Sequence, residues 1–234
     1  MMHWLIDSIA WSALPQIIAI DILLGGDNAV IIAMACRNLP VELRNRAIMA
    51  GVAGAILLRI LLLFFAIQLL ALPGLKIFGA ALLLWIGIKL LMANEDSHDA
   101  IDGNAGLLRA IKTIIVADAV MSLDNVLALA GAAGGDIVLV SLGVLISIPI
   151  IVWGSRLVLA LMDRFPQVIV LGAALLGWVA GGMAVSDAWL ATHLTLPVET
   201  THYLASAFGA TLVMVLGLAL KNTVKKPKED PPAS

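Results

Sequence analysis

Two short segments of the chain carry acidic and amide side chains inside long apolar runs. In each segment an aspartate stands six residues before an Asp-Asn pair, and the two copies are offset by 97 residues (118 − 21). The matched pairs are Asp21 and Asp118, Asp27 and Asp124, and Asn28 and Asn125. Carboxylates in apolar surroundings are costly unless a partner or a function keeps them there. Two matched sets therefore indicate one site that is built from two halves.

The residue types of this candidate site favour a hard divalent cation. Carboxylate, amide and carbonyl oxygens suit Mg²⁺, Ca²⁺ and Mn²⁺. A site for Zn²⁺ or Cu⁺ would need His, Cys or clustered Met, whereas Cys36 has no partner cysteine and the histidines lie at ends or in loops. These histidines are His3, His98, His193 and His202. We therefore expect oxygen ligands, and no cofactor other than the ion itself as substrate.

Helix geometry brings most of these side chains to one face. Residues seven apart share a helix face, so the first aspartate of each segment should align with the asparagine of the same segment. Asp27 would point about a third of a turn away from that face. The pair Gly25-Gly26 weakens the first helix at this point. A local break there could turn Asp27 inward and release backbone carbonyls as ligands.

Arg59 and Arg156 form a second matched pair at the same offset, each near the middle of an apolar run. Four aspartates and two arginines sum to a charge that one divalent cation would neutralise. We expect the arginines to hold the carboxylates when metal is absent, or to pair permanently with Asp21 and Asp118. The alternative is snorkelling toward lipid headgroups, which is awkward from mid-span. Protons could replace the ion at buried carboxylates, which gives a rationale for cation–proton exchange.

The elements that position these residues must be membrane helices. The chain has 234 residues, of which 62% are hydrophobic and 13% charged, with a mean hydropathy of +1.05. A spanning helix needs roughly 20 apolar residues, and the chain supplies that length repeatedly. Its single cysteine excludes an internal disulfide. We predict a polytopic protein of the bacterial inner (plasma) membrane, with membrane lipid as a partner and no nucleic acid.

The fold class expected is all-α, with seven transmembrane helices in one domain, 1–221. The predicted spans are about 10–35, 46–71, 76–93, 107–131, 137–161, 167–186 and 203–221. Residues 222–234 form a basic, Pro-rich tail that we expect to be disordered and cytosolic. Lys and Arg in the short loops and the tail concentrate on one side of such an arrangement, which predicts an external N-terminus and a cytosolic C-terminus.

The repeat extends beyond the acidic segments. After a four-residue deletion the offset becomes 93, and the block from Gly79 to Trp85 matches the block from Gly172 to Trp178. Spans one to three (about 10–93) thus repeat as spans four to six (about 107–186), and the helix at about 203–221 is extra. Because three is odd, the halves enter the membrane in opposite directions. Such inverted repeats occur in secondary transporters, whose sites lie at the repeat interface near the midplane.

These motifs resemble the TerC family of integral membrane proteins. The resemblance rests on Gly-Gly-Asp27-Asn28-Ala, Ser-Leu-Asp124-Asn125-Val and the Gly-Ala-Ala-Leu-Leu-x-Trp block, and covers almost the whole chain. The small size and short tail are similar to its YjbE-type branch. The resemblance implies a role in Mn²⁺ export and metal homeostasis, with the family's acidic motif residues falling on the six residues of the paired segments. Relatives often carry a His-rich loop after span three, where this chain has only His98.

The sequence thus predicts a transporter that exports Mn²⁺ from the cytosol, in exchange for protons in one version of the mechanism. Asp27 and Asp124 would be primary ligands, with Asn28 and Asn125 in support. Asp21 and Asp118 would complete the site or carry protons.

Three other functions compete with export. An aspartyl protease dyad needs only two carboxylates and leaves the duplication unexplained. A non-transporting scaffold could supply metal to exported enzymes. A Ca²⁺ or Mg²⁺ transporter would use the same oxygen ligands. The sequence leaves open the ion preference, the coupling ion, the direction of flux and the oligomeric state, including a homodimer.

Overall fold

A computed structural model describes residues 8–70, 72–93, 103–133, 136–193 and 197–224. The helices are α1 Ser8–Leu24, α2 Gly26–Cys36, α3 Val41–Leu70, α4 Leu75–Met92, α5 Gly103–Ala132, α6 Ile137–Arg164, α7 Gln167–Val185, α8 Ala188–Ala191 and α9 Val198–Val224. No strand occurs in these ranges, so the all-α prediction is confirmed. The polar segment after α4, with His98, and residues 225–234 of the tail lie outside the described residues.

Most of the helices have the length and composition of membrane spans. Within the described ranges, five qualify individually, and the bent α1–α2 pair makes a sixth if its two halves count as one span. The five are Val41–Phe65, Leu75–Met92, Val138–Arg164, Gln167–Val185 and Val198–Asn222. Each of the seven predicted spans coincides with one helix or with the α1–α2 pair. The count of seven spans and the inversion of the repeat stay predictions.

Several helices extend beyond the predicted spans. α3 begins at Val41 rather than near 46, and α9 begins at Val198 rather than near 203. α9 also continues to Val224, past the predicted start of the tail at 222. Hydropathy detects the stretch inside the hydrocarbon, which is about 30 Å thick, whereas the 30 residues of α3 span about 45 Å as a helix. The additional polar turns keep their helical hydrogen bonds outside that layer.

The bundle has three sets of neighbouring helices. α7 packs against both α4 and α9, α3 packs against α5, and α6 packs against α1 and α2. The largest buried apolar cluster includes Met34 from α2, Leu83 from α4, Met121 from α5 and Leu176 from α7. This cluster joins the first half of the chain to the second, so the two halves share one core.

Glycines let α7 and α9 approach to backbone contact. A Cβ atom on Gly181 would lie 2.0 Å from the carbonyl oxygen of Ala205, and one on Gly177 would lie 2.3 Å from that of Gly209. Neither position has space for a side chain, which is the way small residues mediate close packing in membranes. α9, the helix outside the predicted repeats, is therefore closely joined to α7.

Large apolar side chains cover the outer faces of α3 and α6. Leu57 and Phe64 on α3 are 71% and 59% exposed, and Trp153 on α6 is 66% exposed. Surfaces of this kind are rare on soluble monomers, but they are favourable against acyl chains. The exposure pattern therefore fits a bundle that is embedded in a membrane.

Two arginines connect helix ends on the predicted cytosolic side. Arg37 donates to the carbonyls of Leu90 and Ala93 at 3.0 and 2.5 Å, at the end of α4. Arg44, near the start of α3, pairs with Asp163, near the end of α6, at 2.7 Å. These contacts join both halves of the chain at one end of the bundle.

Asp187 connects two turns on the opposite side. Its buried carboxylate accepts hydrogen bonds from the backbone N–H groups of Gly74 at 3.0 Å, Lys76 at 3.1 Å and Trp189 at 2.9 Å. Burial alone would raise the pKa of this carboxyl, but the backbone donors outweigh it and hold the pKa below its usual value. Asp187 thus caps α8 and holds the turn that begins α4.

Candidate functional site

The first acidic segment lies at a break between two helices. α1 ends at Leu24, α2 begins at Gly26, and their axes are bent by 45°. The N–H of Gly25 donates to the carbonyl of Asp21 at 2.7 Å, and the N–H of Asn28 donates to the carbonyl of Gly25 at 3.1 Å. A Cβ atom on Gly25 would lie 2.6 Å from the Asp21 carbonyl oxygen, so this backbone path requires glycine. The break predicted from the glycine pair is confirmed.

The break releases a backbone carbonyl toward the second acidic segment. In an unbroken helix the N–H of Asn28 would donate to Leu24, four residues earlier. Because that N–H bonds Gly25 instead, the Leu24 carbonyl is available, and the side-chain amide of Asn125 donates to it at 3.4 Å. Asn125 of the second segment is therefore hydrogen-bonded to the backbone of the first segment at its helix break.

Arg59 bridges one aspartate from each segment. Its Nη1 lies 2.6 Å from Asp21 Oδ1, its Nη2 lies 2.6 Å from Asp118 Oδ1, and its Nε donates to Ser122 Oγ at 2.9 Å. The guanidinium is buried, with Arg59 only 3% exposed. The rigid fork of arginine suits a bridge of this kind. Arg59 thus contacts one carboxylate from each acidic segment.

Further polar groups donate hydrogen bonds to the carboxylate oxygens of these two aspartates. Ser122 Oγ donates to Asp118 Oδ2 at 3.3 Å, and the amide of Asn28 donates to Asp118 Oδ1 at 2.9 Å. Ser147 Oγ on α6 donates to Asp21 Oδ2. No motif in the sequence marks Ser147, and only its neighbours in space reveal its role. Asp21 and Asp118 are therefore satisfied by the protein itself.

Two side-chain oxygens of the first acidic segment have no hydrogen-bond partner among the described residues. Asp27 Oδ1 and Asn28 Oδ1 are buried and accept no hydrogen bond from the part of the chain that the structure describes. A buried acceptor without a partner costs about 1–3 kcal/mol. Two adjacent ones at a helix break are a pair of oxygen ligands available to a cation.

A cavity of ≈ 440 Å³ reaches Asp27 and is lined by Lys76 next to the α3–α4 turn, whereas Asn28 does not line it. One molecule of liquid water occupies about 30 Å³, so the cavity has room for a hydrated ion. Its polar lining comes from five elements, α2, α4, α5, the end of α7 and α9, through Asp27, Lys76, Asn125, Ser186 and His202. Apolar side chains, among them Met121, Trp178 and Met183, line the rest.

A second, much smaller cavity of ≈ 30 Å³ lies against the Arg59 bridge. Asn28, Arg59 and Asp118 supply its polar wall, and Ile, Val and Ala side chains supply the remainder. Its volume suits about one water molecule. The bridge therefore borders a small, mostly apolar space on this side, in contrast to the larger cavity at Asp27.

Not every predicted site residue joins this constellation. Arg156 is exposed on α6, between the lipid-facing side chains of Trp153 and Leu157, and it forms no ion pair with a described residue. The side chain of Asp124 lies outside the described part of the structure. Across the residues that are described, no three or more His, Cys, Asp or Glu side chains form a group that could hold a metal.

The histidine at the cavity was not predicted as a site residue. The sequence predicts His202 at a helix end or in a loop, whereas it lies in the second turn of α9 and lines the cavity with Asp27. The available signal was the spacing of His202, Ser206 and Gly209, which puts all three on one helix face. That face meets the glycines of α7.

Comparison with known proteins agrees with this architecture. The Bacillus subtilis protein described as uncharacterized membrane protein YjbE is 42% identical over 203 residues, covering 83% of this chain and 93% of that protein. Uncharacterized membrane protein YceF of B. subtilis is 26% identical over 90% of this chain and 84% of its own length. Inner membrane protein YgdQ of Escherichia coli is 25% identical over 74% of this chain and 80% of its own length.

No solved structure matches the chain. The family described as Integral membrane protein TerC family matches residues 6–228. The match covers nearly all of the sequence, including both acidic segments and every described helix. The chain therefore belongs to the TerC family of integral membrane proteins.

Proposed function

We propose that this protein exports divalent metal cations from the cytosol, with Mn²⁺ as its main cargo. The observation that carries the proposal is the pair of unpartnered buried oxygens, Asp27 Oδ1 and Asn28 Oδ1, at the break between α1 and α2. Broken helices near the membrane centre are the usual place for cation sites in secondary transporters. Oxygen ligands of this type suit Mn²⁺ and other hard divalent cations.

In this mechanism Asp27 is the primary ligand. Asn28 and Asn125 support it, and Asp124 is the proposed ligand from the second half. The cavity of ≈ 440 Å³ gives a hydrated ion access to Asp27. Mn²⁺ can keep several of its waters there, which is why no preassembled group of three acidic or imidazole side chains is required.

The bridge between Arg59 and the two satisfied aspartates supplies the charge balance. Asp21, Asp27, Asp118, Asp124 and Arg59 carry a net charge of −3 when all are ionised, and one divalent cation reduces that sum to −1. When the ion leaves, protons from solution could replace its charge, so we propose that protons are the exchanged species. Asp21 and Asp118 would act through Arg59 and not as direct ligands while the bridge is formed.

The test is Mn²⁺ flux into and out of proteoliposomes that hold a pH gradient. Asp27→Asn keeps the shape of the side chain and removes its charge, so we expect flux to fall at least tenfold, roughly the loss of one charged ligand. Asp163→Asn changes an exposed aspartate at the far end of the bundle and serves as the matched control. Both variants should keep the elution volume of the wild type in detergent.

The same experiment separates the alternatives. Wild-type flux that survives Asp27→Asn unchanged would exclude this site. Wild-type protein that binds Mn²⁺ but moves none would favour the scaffold function. Equal transport of Ca²⁺ or Mg²⁺ in competition would make Mn²⁺ one cargo among several.

A further inference from the structure

His202 contacts Gly182 of α7 and lines the larger cavity. On α9, His202, Ser206 and Gly209 lie on one helix face, and this face packs against the glycine-rich side of α7. A Cβ atom on Gly182 would lie 2.6 Å from His202 Nε2 and 2.9 Å from Ser206 Oγ. The missing side chain at Gly182 therefore makes the space in which the imidazole lies.

The imidazole is in the same cavity as the unpartnered carboxylate. His202 and Asp27 both line the space of ≈ 440 Å³, together with Asn125 and Ser186. The ring of His202 meets the edge of Tyr203, with 6.0 Å between ring centroids, and within the described ranges its nitrogens have no hydrogen-bond partner. Nearby, Ser206 Oγ is buried and also has no partner among the described residues. An imidazole nitrogen is thus available at this wall of the cavity.

We propose that His202 is a cation ligand in this cavity and a determinant of ion selectivity. This inference rests on the proposed transport of divalent cations and adds to it a second ligand in the cavity that Asp27 lines. Imidazole nitrogen binds transition-metal cations, whereas Ca²⁺ and Mg²⁺ prefer oxygen. A nitrogen ligand on the path therefore favours Mn²⁺ over the alkaline-earth ions, which the oxygens of Asp27 and Asn28 alone do not.

Lys76 weakens the binding of a cation at His202. Its ammonium group lines the same cavity and donates to Ser186 Oγ at 3.4 Å. A positive charge in the cavity opposes retention of a cation. Weak binding suits a ligand on a transport path, because an ion that is held too tightly cannot leave.

Electron spin-echo spectroscopy of Mn²⁺ added to detergent-solubilised protein without a histidine tag tests the ligand directly. A directly bound imidazole nitrogen gives ¹⁴N modulation of the Mn²⁺ signal. We expect this modulation in the wild type, its loss in His202→Ala and its retention in His193→Ala. His193 is the matched control, since its Nδ1 lies 2.8 Å from the Trp189 carbonyl oxygen and it does not line the cavity. Modulation that is absent from the wild type, or that survives His202→Ala, overturns the proposal.

Transport gives the second readout. In competition between Mn²⁺ and Ca²⁺, His202→Ala should lower the preference for Mn²⁺ roughly tenfold. Lys76→Gln should increase the amount of Mn²⁺ retained. An unchanged ion preference in His202→Ala, with active wild type, refutes the role of His202 alone. Wild type without any flux refutes the transport function instead, and the spectroscopic result still decides whether His202 binds metal.

Discussion

The side-chain amide of Asn28 donates a hydrogen bond to the carboxylate of Asp118 over 2.9 Å, and so joins the first acidic segment to the second. Asn28 directly follows Asp27, and Asp118 is also held by Arg59. The position of the Asp27 carboxylate is thereby coupled to the buried ion pair. A substitution that disrupts the Arg59 bridge should therefore also shift the Asp27 carboxylate, through the side chain of Asn28.

The first prediction concerns the geometry of that bridge. Arg59→Lys keeps the positive charge but replaces a fork with a single ammonium group, which cannot hold Asp21 and Asp118 together. We expect a loss of about 2–3 kcal/mol, the value of a charged hydrogen bond, seen as a lower midpoint of thermal unfolding in detergent. Arg156→Lys is the control because Arg156 is exposed, and it should leave the midpoint unchanged. Equal effects of the two substitutions would mean that the bridge does not stabilise the fold.

The second prediction concerns the helix break. Gly25→Ala places a Cβ atom 2.6 Å from the Asp21 carbonyl oxygen, whereas a Cβ atom on Gly26 meets nothing within 4 Å. Gly25→Ala must therefore shift the backbone that presents Asp27, and we expect Mn²⁺ flux to fall strongly while Gly26→Ala keeps it. Proteoliposome flux, normalised to the amount of reconstituted protein, is the measurement. If Gly25→Ala transported as well as Gly26→Ala, the break would not be needed for function.

The third prediction concerns the contact between α7 and α9. Gly181→Ala would bring a Cβ atom to 2.0 Å from the backbone oxygen of Ala205, so the helices must separate. Overpacking of this kind costs about 1–3 kcal/mol, and we expect an unfolding midpoint lower by several degrees. Gly131→Ala meets nothing within 4 Å, and its higher helix propensity should keep or raise the midpoint. A neutral Gly181→Ala would show that the helices are not in backbone contact.

The fourth prediction concerns the pH dependence of stability at Asp187. The pKa of this carboxyl is lowered in the folded protein, so the stability it contributes is present above the unfolded pKa and disappears as pH falls through the folded one. Asp187→Asn should therefore lower the unfolding midpoint by a constant amount above about pH 5, and the difference should shrink below about pH 4. Thermal unfolding between these pH values measures it.

Asp136→Asn is the control for this series. Asp136 caps α6 through the N–H groups of Val138 and Leu139, and asparagine is an equally good N-cap. It should change the midpoint little at any pH. A difference between wild type and Asp187→Asn that grows as the pH falls would contradict the assigned sign.

Local sequence rules explain part of the site. The Gly25 break follows from the low helix propensity of glycine, and the pairing of Arg59 with Asp21 and Asp118 follows from the cost of buried charge. The position of Arg156 matches that of Arg59 in the repeat, which predicts that Arg156 also holds the carboxylates of the site. A repeat in sequence, however, does not determine which face of a helix turns inward, and α6 presents Arg156 with Trp153 to the outside. That arginine is therefore not placed to balance the charge of the site.

The parts that escaped prediction depend on contacts between distant elements. Ser147 becomes a partner of Asp21 only when α6 packs against α1. His202 reaches the cavity only because glycines bring α9 against α7. Neither depends on its own neighbours in sequence, so hydropathy and motif spacing contain little of this information.

The backbone contacts of Gly177 and Gly181 with α9 also have a mechanical consequence. Two helices in such contact cannot slide or tilt independently without a collision, so they move as one stiff unit. A side chain carried by α9, such as His202, therefore keeps its distance from α7 through any rearrangement of the other helices. α9, the seventh predicted span, is therefore a rigid support for the half of the molecule that contains α7.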